Sequence, residues 1–112
     1  MKSLLFLTVI TVFVLAGCCK SKMCDGIPQS IENKIKKFEK ECCENGASVK
    51  EYSFQGEDVY VFDPGTCGAD MTCEVTDNGC KCLGFLKGIT GNTQINGEDF
   101  SNATYIKLIW EK

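Results

Sequence analysis

The chain has 112 residues, with 15 acidic side chains against 12 lysines, no arginine and no histidine, for a formal net charge of −3. Without histidine there is no imidazole base, which excludes Ser-His-Asp and Cys-His catalysis, and without arginine the bidentate clamp for phosphates and carboxylates is missing. The one lysine cluster (Lys34, Lys36, Lys37, Lys40) is interleaved with Glu32, Glu39 and Glu41, the pattern of a solvated helix face, which argues against nucleic acid as a partner.

Lys2 followed by the apolar run Leu4 to Leu15 has the order of an export signal and is too short for the about 20 residues of a membrane span. Leu15-Ala16-Gly17-Cys18 resembles the bacterial lipobox, which implies cleavage after residue 17 and a lipid on Cys18. An ordinary secretory cleavage would instead leave Cys18 as a disulfide partner. Parity favours the lipid: the chain has nine cysteines, and lipidation of Cys18 leaves an even set to pair. Two acyl chains anchor stably where one is marginal. No aspartate follows Cys18 and no acidic cluster resembling a surface-export signal is present, so the expected location is the bacterial cell envelope, at the outer membrane facing the periplasm. The expected partners are the membrane, through the lipid, and an envelope protein or glycan.

Residues 18–26 lack periodicity and read as a tether, leaving 27–112 as a single domain. A mature chain of about 95 residues buries a marginal core, so staples are expected. Cys19, Cys24, Cys42, Cys43, Cys67, Cys73, Cys80 and Cys82 are the candidates for disulfides in an oxidising compartment.

Ile27, Ile31, Ile35, Phe38 and Cys42 recur at spacings of four, four, three and four, which predicts an amphipathic helix from Pro28 to Glu44. Pro28 suits its first turn and Gly46 its C-terminal cap. "ASVKEYSFQGEDVYVFDP" predicts a β-hairpin. With Gly56-Glu57 as its loop, Phe54, Val59, Tyr52 and Val61 share one face, expected to receive the helix. Asn78-Gly79 predicts a second hairpin, "GITGNTQINGEDFSN" reads as loop, and "ATYIKLIWEK" predicts a last strand inside the sheet, with Trp110 in the core. The fold class expected is α+β: one N-terminal amphipathic helix packed on a small antiparallel sheet of four to five strands, stapled by disulfides.

Were Asn78-Gly79 a two-residue turn, Cys73, Cys80 and Cys82 would share one side with none directly opposite another. Cys73 and Cys82 would be diagonal, about 7–8 Å apart and beyond the usual disulfide range of about 4.4–6.8 Å. Cys67 in the incoming loop reaches Cys80 more easily, making Cys67 with Cys80 the best pair. Cys42 and Cys43 point apart on a helix, so one is expected to tie to Cys24 and the other to the sheet or Cys19.

Zinc spacing and Cys-x-x-Cys are absent, so neither a metal centre nor a cofactor is expected. Asp63, Asp70 and Asp77 are weak calcium candidates without EF-hand spacing. "GASVKEYSFQGEDVYVFDPGTCGADMT", "LGFLKGITGNTQINGEDF" and the final "IWEK" resemble a family of small uncharacterised lipoproteins from Bacteroidota. The resemblance implies the same export route and a small α+β domain, and it carries over no catalytic residue. The expectation is thus a noncatalytic, lipid-anchored envelope protein with a binding or structural role. The alternatives are a protease-inhibitor-like module presenting the loop 64–79, faintly suggested by "CGAD", and a periplasmic thiol oxidoreductase.

Overall fold

Ile31 and Ile35 are fully buried in the computed structural model, which describes residues 26–68 and 71–112. They lie on α1 (Gln29–Glu41), and Ile27, Phe38 and Cys42 pack along the same stripe, as the periodicity predicts. Burying each isoleucine is worth about 1.5–3 kcal/mol of transfer free energy. α1 is the first described element and begins well inside the chain. The expected signal 1–17 and nearly all of the expected tether 18–26 lie outside the described residues.

The helix stops at Glu41, three residues short of the expected end, and Gly46 does not cap it. Cys42 is already extended, the Cys43 N–H donates to the Pro64 carbonyl at 2.9 Å, and Cys43 is bonded to Cys67. These ties to the loop after the hairpin outcompete another turn of helix.

β1 (Ser48–Phe54) and β2 (Glu57–Asp63) form the first hairpin, β3 (Thr72–Asp77) and β4 (Cys82–Lys87) the second, and β7 (Thr104–Glu111) returns antiparallel to β1. All five strands make one antiparallel sheet in the order β4-β3-β2-β1-β7. The last strand therefore sits on an edge and not in the interior. Its apolar residues are buried only near its end, at Ile109 and Trp110, while 104–107 are exposed.

The first turn is Gln55-Gly56, both at positive φ (54° and 78°), so Phe54 faces Glu57 and Tyr52 faces Val59. This is the primed geometry that suits strand twist, shifted by one residue from the expected loop. Tyr52, Phe54, Val59 and Val61 still share a face, but α1 lies on the other one. The helix packs on Val49, Tyr60, Phe62, Ile109 and Trp110. Phe38 meets Phe62 and Trp110 edge to face, with ring centroids at 5.3 and 6.0 Å.

The connection from β4 to β7 explains what covers the remaining face. β4 and β7 lie on opposite edges of the sheet, so the chain must cross about four strand spacings, each about 4.8 Å. Residues 88–103 cross it beneath the face opposite α1. They are not plain loop: β5 (Gln94–Ile95) and β6 (Glu98–Asp99) form a miniature hairpin, followed by a 3-10 turn at Phe100–Asn102. Ile95, 1 % exposed, joins Phe54, Val59, Val61, Cys73 and Val75 in a second core. The Gln55 side-chain amide donates to Glu98 Oε1 at 3.1 Å, which pins this hairpin to the first turn.

Candidate functional site

The crossing segment leaves an open cleft of about 420 Å³ beside Tyr52, Leu86, Phe100 and Ala103, rimmed by Lys87, Asn92, Thr93, Asp99 and Ser101. β1 supplies Tyr52 and β4 supplies Leu86, while the 3-10 turn delivers Phe100. Tyr52 meets Phe100 and Tyr105 edge to face at 5.2 and 5.6 Å, and Phe54 backs Phe100 at 4.9 Å. The result is an aromatic wall anchored in the second core. Such a wall with a few placed polar groups is the usual make-up of a small-ligand site, and the volume falls in the usual range of about 300–1,000 Å³.

The rim is built by side-chain hydrogen bonds within the crossing segment. Asn92 Nδ2 donates to the Phe85 and Gln94 carbonyls at 2.6 and 2.8 Å, fixing the loop to β4. Asp99 caps the 3-10 turn by accepting from the Ser101 N–H at 2.9 Å. That bond first, together with the hydroxyls of Ser101 and Thr93, holds the Asp99 carboxyl below its ordinary pKa. An ionised acceptor therefore stands on the rim near neutral pH, with the Lys87 ammonium the one cation among the described residues that line the cleft.

A second cleft, of about 370 Å³, lies on the helix side where α1 leaves β3 and β4 uncovered, between Phe38, Phe62, Met71 and Phe85. It is the smaller of the two, and Glu74 on its lining pairs with Lys34 at 2.9 Å. Lys34 also stands 5.3 Å from the centroid of the Phe62 ring.

The cysteines distribute differently from the expected pairing. Cys67 bonds to Cys43, not Cys80, with the Cα atoms 5.5 Å apart, because the loop after β2 folds back onto the end of α1. Cys42, Cys73, Cys80 and Cys82 carry free thiols, while Cys18, Cys19 and Cys24 lie outside the described residues. The shared side expected for Cys73, Cys80 and Cys82 is broken twice. The turn has three residues, closed by Cys80 N–H to the Asp77 carbonyl and Asp77 N–H to the Lys81 carbonyl, both at 3.0 Å, with Cys80 at φ 70°. A bulge then places Val75 opposite Gly84 but Thr76 opposite Cys82, and the extra residue reverses which face the strand presents. Cys73 lies in the second core; Cys80 packs against the helix-side core and Cys82 faces Glu74 and Lys34 on that side.

Burial pushes the Cys73 thiol above its ordinary pKa, helped by the Asp63 carboxylate. Desolvation and a hydrogen bond with Glu74 push Cys82 up as well. A nucleophilic thiol needs the opposite shift.

The calcium candidates do not converge. Asp63 accepts from the Gly65 N–H at 3.0 Å, and Asp77 accepts from Gly79 and Lys81 N–H at 2.9 and 2.8 Å, each serving its own turn. They stand at opposite ends of the β2–β3 ladder, about 13 Å apart along the strand. Asp70 lies outside the described residues. Among the described residues no group of three His, Cys, Asp or Glu side chains could hold a metal ion, and no helix is long and apolar enough to cross a membrane. The segment 64–79 is not one loop either, since Thr72–Asp77 is β3, paired on both sides.

The aromatic cleft is a site that sequence reasoning missed. Its signal was Asn96-Gly97 between Ile95 and Glu98, a hairpin turn with φ of 51° and 80° hidden in a stretch that reads as loop. Comparison with curated proteins and with solved structures found no match. Residues 29–112, from the start of α1 to the end of the chain, match a family model, so the chain belongs to the family described as domain of unknown function DUF6970.

Proposed function

We propose that this protein is a noncatalytic envelope lipoprotein, held at the membrane by lipid on Cys18, that binds a small hydroxyl-bearing ligand in the cleft beside Tyr52 and Phe100. The lipobox-like Leu15-Ala16-Gly17-Cys18 supports the anchor, and the resemblance to Bacteroidota lipoproteins supports the envelope of such a bacterium. The aromatic wall with its hydroxyl, amide and carboxylate rim is the observation that carries the binding reading. An apolar ring face beside hydroxyl and carboxylate partners suits a sugar, so an envelope glycan is the ligand class. Raised thiols at Cys73 and Cys82 favour this reading over a thiol oxidoreductase.

The test is a titration of the isotope-labelled protein with fragments of envelope glycans, followed by NMR. Shifts confined to Tyr52, Phe100, Ser101 and Tyr105, lost in Thr93→Ala and Phe100→Ala, are expected. Absence of shifts, or shifts at the Phe38–Phe85 cleft or at residues 64–68, would overturn the site. Membrane fractionation of Cys18→Ala tests the anchor: the variant is expected in the soluble fraction, and continued membrane retention rejects lipidation there.

A further inference from the structure

The cleft on the helix side is built on one cross-strand row. Phe62 on β2 stands directly opposite Glu74 on β3, and Glu74 stands opposite Phe85 on β4. Residues paired across a ladder share a face, so a carboxylate lies between two phenyl rings on the face that packs against α1. Phe38 from α1 joins them, and with Pro64 and Met71 the lining leaves about 370 Å³ open. That volume is within the usual range of about 300–1,000 Å³ for small-ligand sites. Phe85 is 51 % exposed, a large ring that the domain itself leaves half uncovered.

Charge decides what fits there. Glu41 and Glu74 line the cleft, and among the described residues no lysine does. Lys34 answers Glu74 from α1, its ammonium 2.9 Å from Glu74 Oε1 and 5.3 Å from the centre of the Phe62 ring. The fold thus already seats one ammonium between this carboxylate and a phenyl ring, within the about 6 Å over which a ring quadrupole attracts a cation. Among the described residues no cation stands over Phe38 or Phe85, and Glu41 enters no ion pair. The lining also decides which cation. A primary ammonium brings three N–H donors, whereas Glu74 already pairs with Lys34 and shares a hydrogen bond with Cys82. A quaternary ammonium brings no donor, and its methyl groups suit Pro64, Met71 and Phe85.

We infer that the cleft between Phe38, Phe62 and Phe85 binds a small quaternary ammonium compound, its methyl groups against the phenyl rings and its charge facing Glu41 and Glu74. The site is separate from the one beside Tyr52 and Phe100. Phe85 and Leu86 are neighbours on β4 whose side chains emerge on opposite faces of the sheet, Phe85 into this cleft and Leu86 into the other. Occupancy of one therefore does not require the other.

The test titrates the isotope-labelled full chain with choline and two related probes, followed by NMR. One probe, 3,3-dimethyl-1-butanol, keeps the shape of choline but puts carbon in place of the charged nitrogen. The other, ethanolamine, keeps the charge but puts hydrogens in place of the methyl groups. Saturable shifts centred on Phe38, Glu74 and Phe85 are expected for choline, with about tenfold weaker binding of each of the other two. Phe85→Leu, at a half-exposed position where it keeps apolar bulk, should lower choline affinity about tenfold, and Phe85→Tyr, which keeps the ring, should retain it. Glu41→Gln, at an exposed position, should weaken choline about twofold to threefold. Equal affinity for choline and the neutral alcohol would reduce the site to an apolar groove and overturn the inference. Ethanolamine binding as tightly as choline, choline shifts at Tyr52 and Phe100 instead, unchanged binding in Phe85→Leu, or no shifts at all would overturn it too.

Discussion

Ile95 lies directly over Gly84, and a methyl group on that glycine would stand 3.0 Å from Ile95 Cδ1. The contact locks the crossing segment onto the sheet through a residue at φ 155° that has no side chain. Ile95→Ala is therefore expected to lose about 2–5 kcal/mol, the cost of truncating a buried isoleucine. Ile89→Ala in the same segment, at a residue 84 % exposed, should change stability by less than about 0.5 kcal/mol. Urea unfolding of the two variants checks this, and equal midpoints would show that the segment does not form a core layer.

Gly65 sits at φ 101° with the Asn45 carbonyl in the way of any Cβ. Gly65→Ala should cost about 1–3 kcal/mol, because both the backbone conformation and the close approach reject a side chain. The same urea unfolding measures it.

The Cys43–Cys67 bridge closes a loop with a sequence separation of 24. Replacing both cysteines with serine should lower stability by about 3–4 kcal/mol in the loop-entropy account. A peptide map that joined Cys67 to Cys80 would overturn the pairing on which this rests.

Burial against α1, with Glu51 and Asp58 adding repulsion, raises the Tyr60 phenol from its ordinary 10.0 to about 12. The folded state thus holds the proton more tightly than the unfolded chain. Its contribution is fully present below pH 10 and is lost as pH rises from about 10 toward about 12. Urea midpoints between pH 9 and pH 11.5 should fall more steeply in the unsubstituted chain than in Tyr60→Phe.

Thr76 is fully buried and its hydroxyl has no hydrogen-bond partner. Removing an unpaired buried hydroxyl while keeping the shape relieves its desolvation cost. Thr76→Val is expected to raise stability by about 1 kcal/mol, read as a higher unfolding midpoint.

Local patterns in the sequence determined the elements. The stripe of Ile31, Ile35 and Phe38 specifies a helix by its period, and Gly56 and Gly79 mark the two hairpins through turn chemistry that involves only neighbouring residues. The burial of Trp110 follows from its apolar neighbours. Only the tertiary structure decided which face α1 covers, because the first hairpin is apolar on both faces: Val49, Tyr60 and Phe62 compete with Phe54, Val59 and Val61 for the helix. That choice follows from placing β7 beside β1, which sends residues 88–103 across one face and leaves the other to the helix. The cysteine pairing and the aromatic cleft were hidden for the same reason. A single bulged residue at Leu83 reverses the side on which Cys82 emerges, and Phe100 meets Tyr52 only after a crossing of the whole sheet. Such register and long-range contacts are set by packing energy summed over the domain, which no short stretch of sequence carries.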